Sequence, residues 1–136
     1  MIARRRILLA DDHALVRAGI RALLESLPRV VVVGETGDGL EAVELVRRDP
    51  PDAILLDITL PGLNGLEAAA RIARLDVPTR VLMLSMHASA EYAARALASG
   101  ASGYLNKDSA FDELATALHE VCAGRRYLCR ALDPEA

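Results

Sequence analysis

Residues 53–65 read Ala53-Ile54-Leu55-Leu56-Asp57-Ile58-Thr59-Leu60-Pro61-Gly62-Leu63-Asn64-Gly65: four consecutive apolar side chains, an acid, then a loop marked by proline and glycine. An unbroken apolar run of this length fits a strand buried on both faces, as in a parallel sheet covered by helices. Four more runs of this kind recur at Ile7–Ala10, Val30–Val33, Val81–Leu84 and Ala101–Leu105, the last interrupted by Ser102 and Gly103. Between the runs the apolar residues take helical spacing. Leu15, Val16, Gly19, Ile20, Leu23, Leu24 and Leu27 make one stripe, and Leu114, Leu118, Val121 and Cys122 another.

Helix boundaries are written in the polar residues. Asp38 followed by Glu41, and Asn64 followed by Glu67, have the spacing of a capping box. Gly100 and Gly124 stand just past the last periodic residues, where helices commonly stop. The pattern predicts an α/β fold, strand then helix five times over. This is a doubly wound, flavodoxin-like five-stranded parallel sheet with strand order 2-1-3-4-5.

The bulk numbers agree. A chain of 136 residues, 52% of them hydrophobic, is long enough for one core, and with one Phe and three Tyr that core is aliphatic. A net charge of −3 argues against general nucleic-acid binding, and Arg4-Arg5-Arg6 reads as a solvated flank before the first strand. No apolar run approaches the roughly 20 residues of a membrane span, and the N-terminus lacks the pattern of a signal peptide. Cys122 and Cys129 make neither a disulfide framework nor a metal motif. The expectation is a cytoplasmic, single-domain protein.

In an open parallel sheet, ligands sit beyond the carboxyl ends of the strands. The residues just after the runs are Asp11-Asp12, Asp57, Ser85 and Asn106-Lys107; only the second run, ending in Glu35-Thr36, stands outside the set. Three carboxylates brought together resist ionising unless a cation joins them. Oxygen-only ligands suit Mg2+. His13, beside the acid pair, reads as a helix-start residue rather than a ligand, His119 as solvent-facing, and Cys122 and Tyr92 as packing residues.

The segments 8–13, 55–65, Met83-Leu84-Ser85-Met86-His87 and Gly100-Ala101-Ser102-Gly103-Tyr104-Leu105-Asn106-Lys107-Asp108 together resemble a response-regulator receiver domain of two-component systems. Ala10-Asp11-Asp12-His13 and Lys107-Asp108 are similar to the NarL/FixJ (LuxR-type) group. The resemblance implies that Asp57 is the phosphoacceptor, with Lys107 pairing to a phosphate oxygen. Asp12, Asp57 and the Thr59 backbone carbonyl would hold Mg2+, Asp11 acting through water. Ser85 and Tyr104 would form the switch, altering the face made by the fourth helix, fifth strand and fifth helix. Thr59 and His87 occupy positions that tune phosphate lifetime in this family. Asn106 departs from the family pattern, since an apolar residue is common there.

The implied protein is not an enzyme beyond phosphorylation from small donors and autodephosphorylation. Its partners would be a sensor histidine kinase and, after phosphorylation, a second copy. Residues 1–123 would be the receiver and 124–136 the start of a linker to a helix-turn-helix domain, through which alone DNA is reached. A stand-alone receiver in a phosphorelay is the alternative. Two other classes fit less well. A dehalogenase-like phosphatase wants an acid two residues after its nucleophile, where this chain has Thr59; a flavodoxin-like electron carrier wants aromatics and a hydroxyl-rich loop after the first strand.

Lys107 is the single lysine against fifteen arginines. A compact ammonium suits one phosphate oxygen in a crowded pocket, whereas a guanidinium is a planar fork that needs more room. Lys107→Arg is therefore expected to keep the fold and impair the switch. Thermal melting, phosphorylation rate and response to beryllofluoride check this; a variant equal to wild type in all three reduces Lys107 to a generic positive charge.

Overall fold

The central apolar runs become strands covered on both faces. In the computed structural model, which describes residues 4–87 and 89–132, Ala53–Asp57 (β3) is buried at every position. On either side lie Arg5–Ala10 (β1) and Arg80–Ser85 (β4), each with four or more consecutive buried residues. Val30–Thr36 (β2) flanks β1, and Gly103–Asn106 (β5) flanks β4. The sheet is parallel throughout and runs β2-β1-β3-β4-β5 as predicted.

One strand more is present than the sequence pattern predicts. Tyr127–Leu128 (β6) pairs parallel with Gly103 and Tyr104 of β5, making the sheet six-stranded rather than five-stranded. Two residues carry no readable periodicity, and this strand forms because the chain turning back at Gly124 offers backbone groups to an open edge. The Tyr127 N–H donates to the Ser102 carbonyl (3.1 Å) and the Cys129 N–H to the Tyr104 carbonyl (2.9 Å). The stretch expected to begin a linker thus lies on the domain as far as residue 132. Its last four residues, like residues 1–3 and Ala88, lie outside the described ones.

The helices are Ala14–Ser26 (α1), Gly39–Arg48 (α2), Gly65–Ala73 (α3), Ala90–Ala98 (α4) and Ala110–Cys122 (α5). The expected caps form: Asp38 accepts from the Glu41 N–H at 2.8 Å and Asn64 from the Glu67 N–H at 2.9 Å. Gly100 and Gly124 end α4 and α5 in the left-handed region, with φ of +104° and +86°. Ser89 caps α4 through the Tyr92 N–H, without the acid three residues on that marks the other two caps.

Three expectations need correction. Leu15 does not join the α1 stripe but is 88% exposed, because it stands five residues from the buried Ile20, about 140° round the helix. Cys122 is half-buried rather than core. Arg5 and Arg6 belong to β1 itself and are half-buried, with Arg6 reaching the Asp49 carboxylate and the Pro50 carbonyl. His119 is exposed, as expected.

Two backbone irregularities accompany this regular frame. Ile7 faces Val32 and Leu8 faces Gly34, so Val33 bulges out of the ladder and is 41% exposed. Gly65 presses against the end of β3: a Cβ there would lie 2.2 Å from the Asp57 carbonyl oxygen and 2.7 Å from the Ile58 Cα. Both atoms are backbone and cannot swing aside. Gly65→Ala is expected to cost about 1–3 kcal/mol through forced backbone movement. A lowered thermal midpoint checks this, with altered amide resonances at Asp57 and Ile58.

Candidate functional site

Parallel strands deliver their C-terminal residues to one edge, and the register decides which ones meet. Ala10 pairs with Leu56, Asp57 with Leu84, and Ser85 with Asn106. Asp11, Asp57, Ser85 and Lys107 therefore arrive side by side. All four are buried, Asp11 at 0%, Asp57 and Ser85 at 1% and Lys107 at 4% exposure. Asp12 and His13 stand at the rim and Thr59 is exposed beside them. They open onto a cleft of about 650 Å³ also lined by Ser85, His87 and Tyr92.

The Asp57 carboxylate is held from both sides. Its Oδ1 accepts from the Thr59 N–H at 3.0 Å and from the Thr59 hydroxyl at 3.2 Å, and its Oδ2 accepts from Lys107 Nζ at 2.9 Å. Burial pushes the Asp57 carboxyl above the ordinary carboxylate range, against the opposing pull of the Thr59 N–H and of Lys107. The Lys107 ammonium also lies 2.8 Å from Asp11 Oδ2. That approach is an ion pair and not a well-angled hydrogen bond, so Asp11 Oδ2 remains buried without a hydrogen-bond partner among the described residues.

Donor atoms of Asp11, Asp12, His13 and Asp57 all lie within 4.8 Å of one another. This acid cluster is able to hold a metal ion, and the orphaned Asp11 oxygen leaves a buried lone pair for it or for its water. Predominantly oxygen donors favour a hard cation such as Mg2+. His13 does start α1, as its place in the sequence suggested, but its ring also enters the cluster. Its Nδ1 lies 3.1 Å from Asp11 Oδ1, 3.4 Å from Asp57 Oδ2 and 2.9 Å from Lys107 Nζ. Its adjacency to Asp11-Asp12 was the available signal; the direction of the ring was not.

Tyr104 is fully buried, and its hydroxyl donates to the His87 carbonyl at 2.6 Å. Ser85 Oγ accepts from the His87 N–H at 3.1 Å. The two residues thus meet the same neighbour in the loop after β4. Asn106 has a structural duty: its side chain accepts from the Asp108 N–H at 3.0 Å and caps the 3-10 turn Lys107–Ser109. That explains a polar residue where an apolar one is common. Tyr92 is not simply a packing residue, since it is 37% exposed and lines the cleft.

The family model of the response regulator receiver domain matches residues 7–119. The chain is 42% identical over 122 residues to the response regulator UvrY of Escherichia coli, covering 90% of this chain and 56% of that protein. It therefore spans about half the length of the curated relatives it matches. Among solved structures, a LuxR-family two-component response regulator from Aurantimonas sp. SI85-9A1 superposes with a TM-score of 0.90 at 41% identity, covering 96% of this chain and 93% of the other. The signal receiver domain of a response regulator NarL from Mycobacterium tuberculosis gives a TM-score of 0.87 at 39% identity, covering 91% of this chain and all of the other. Among the described residues no helix is long and apolar enough to cross a membrane. Sequence, fold and the acidic strand-end cluster agree: the chain belongs to the response regulator receiver domains, in the NarL/LuxR group.

Proposed function

We propose that this chain is a Mg2+-dependent phospho-switch that takes a phosphoryl group onto Asp57 from a sensor histidine kinase. The observation that carries the reading is the Asp57 carboxylate, buried at the end of β3 and in contact with Lys107, inside an acid cluster whose Asp12 and His13 line an open cleft.

Each residue then has a task. An Asp57 carboxylate oxygen attacks phosphorus, the bond from phosphorus to the donor's leaving atom breaks, and an acyl phosphate results. The Lys107 ammonium, already at Asp57 Oδ2, meets the negative charge that arrives with the phosphoryl group. Asp12, Asp57 and the Thr59 carbonyl would hold Mg2+ directly, with Asp11 reaching it through water. When bound, the ion offsets the charge shared by the carboxylate and the phosphoryl oxygens. His13 must share this space, and its imidazole is a poorer ligand for so hard an ion than the carboxylates are. Thr59 and His87, both bordering the cleft, are positioned to govern how water reaches the phosphoryl group.

Ser85 turns its hydroxyl toward a phosphoryl oxygen, and Tyr104 shares the His87 contact, so the chemistry is felt at α4 and β5. The output is transcriptional, exerted as a cytoplasmic homodimer through a DNA-binding domain joined beyond residues 124–136. Likeness to a transcriptional regulatory protein of the NarL kind supports that reading over a stand-alone relay protein. Receiver domains are signalling domains and not classical enzymes, so catalysis here ends with the chain's own phosphorylation and its reversal.

Incubation with acetyl phosphate and Mg2+ is expected to add one phosphate, about 80 Da in intact mass spectrometry, to the wild type only. Asp57→Asn and excess EDTA should each abolish the addition; phosphate uptake by the Asp57→Asn variant disproves the assignment.

A further inference from the structure

Glu113 has no part in that chemistry, yet it is a charged residue on the buried face of α5, only 3% exposed among Ala110, Leu114 and Ala117. What faces it is the segment that follows the helix. The Tyr127 hydroxyl donates to Glu113 Oε1 at 2.6 Å, and the Arg130 N–H donates to the same oxygen at 2.9 Å. Burial by itself would raise this carboxyl, but the bonds from Tyr127 and Arg130 outweigh it and hold it below the usual range. The Tyr127 phenol is pushed the other way, up to about 12, by burial and by Glu113. Hydrogen bonds to a buried carboxylate are among the stronger kind, and removing them leaves that charge unpartnered.

The other side of the same segment lies on β5. The Cys129 side chain is fully buried, and its N–H is bonded to the carbonyl of Tyr104. Tyr104 therefore points its phenol inward to the loop beside Ser85 while its backbone carries the segment outside. With only two residues in ladder register, β6 is the shortest strand of the sheet and the element most easily opened.

We propose that residues 127–132 are a strap, buckled on Glu113, whose docking is coupled to the inward position of Tyr104. Events at Asp57 then reach the chain leaving the domain through β5 as well as through its outer face. The coupling of strap to Tyr104 stands on the contacts above; its link to Asp57 rests on the proposed function. Coupling of this kind is reciprocal, so whatever fixes Tyr104 tightens the strap, and a loosened strap frees Tyr104.

Amide exchange followed by NMR on the whole 136-residue chain tests this. Glu113→Gln should speed exchange at Tyr127 and Cys129 about tenfold, the scale of one lost charge-assisted hydrogen bond, and leave β3 amides unchanged. Tyr127→Phe, which keeps the Glu113 charge and removes one bond, should act in the same direction if the Gln variant fails to fold. Tyr104→Phe, although it does not touch Glu113, should also speed Cys129; a wild-type rate there overturns the coupling and leaves only a clasp. Beryllofluoride with Mg2+ should slow Cys129 exchange in the wild type. If it shifts resonances at Asp57 and Ser85 and leaves Cys129 unaffected, the link to Asp57 is wrong. If it shifts nothing at Asp57, the phosphorylation reading fails, and the Tyr104→Phe result alone decides the strap.

Discussion

The Lys107 ammonium lies between Asp11 and Asp57, all three nearly inaccessible to water. Two carboxylates at neighbouring strand ends repel, and an unpaired charge at that depth costs several kcal/mol. The ammonium is therefore what allows β1 and β3 to end side by side in acids. It has to be delivered from β5, two strands away from Asp57. That delivery needs the Ser85–Asn106 pairing, the 3-10 turn capped by Asn106 and a side chain long enough to span the intervening strand. Such an arrangement is strong only while every partner is in place, which suits the phospho-switch proposed above.

The fold is largely legible in the sequence because burial on both faces of a sheet leaves a mark that one-sided burial does not. Ala53–Leu56 and Val81–Leu84 are unbroken apolar runs for that reason. β2, at the edge and half-buried, is legible only through its valines. Capping by Asp38 and Asn64 is equally plain, since a short polar side chain must stand one residue before the helix it closes. β6 is not legible: two residues show no period, and its pairing depends on where α5 has already put the chain. Leu15 misleads for a related reason, as it is apolar and adjacent to the stripe but on the wrong side of the helix.

The candidate site divides in the same way. Asp11, Asp57, Ser85 and Lys107 follow from strand ends, which are set by register and need no knowledge of rotamers. The ring of His13 among the acids, the Thr59 hydroxyl on Asp57 Oδ1, and Glu113 beneath Tyr127 depend on side-chain direction. Direction is decided by neighbours far away in sequence. Glu113 in particular sits on a helix whose apolar stripe predicts core, and its charge is tolerable there because a phenol fourteen residues on and the Arg130 backbone N–H both donate to it.

β6 covers β5 only in part, and on the far side β2 leaves a seven-residue edge whose first four residues are all valine. A straight, apolar edge of that kind is an invitation for another chain to add a strand. The bulge at Val33 spoils the invitation. It sets one residue out of step, breaks the even spacing of free N–H and C=O groups and sharpens the local twist. Removing the extra residue between Val32 and Gly34 would make a tidier sheet and a worse protein, one more prone to edge-to-edge aggregation. The irregularity in β2 is thus a form of colloidal protection, placed where the valines that β1 needs for packing would otherwise make the surface adhesive.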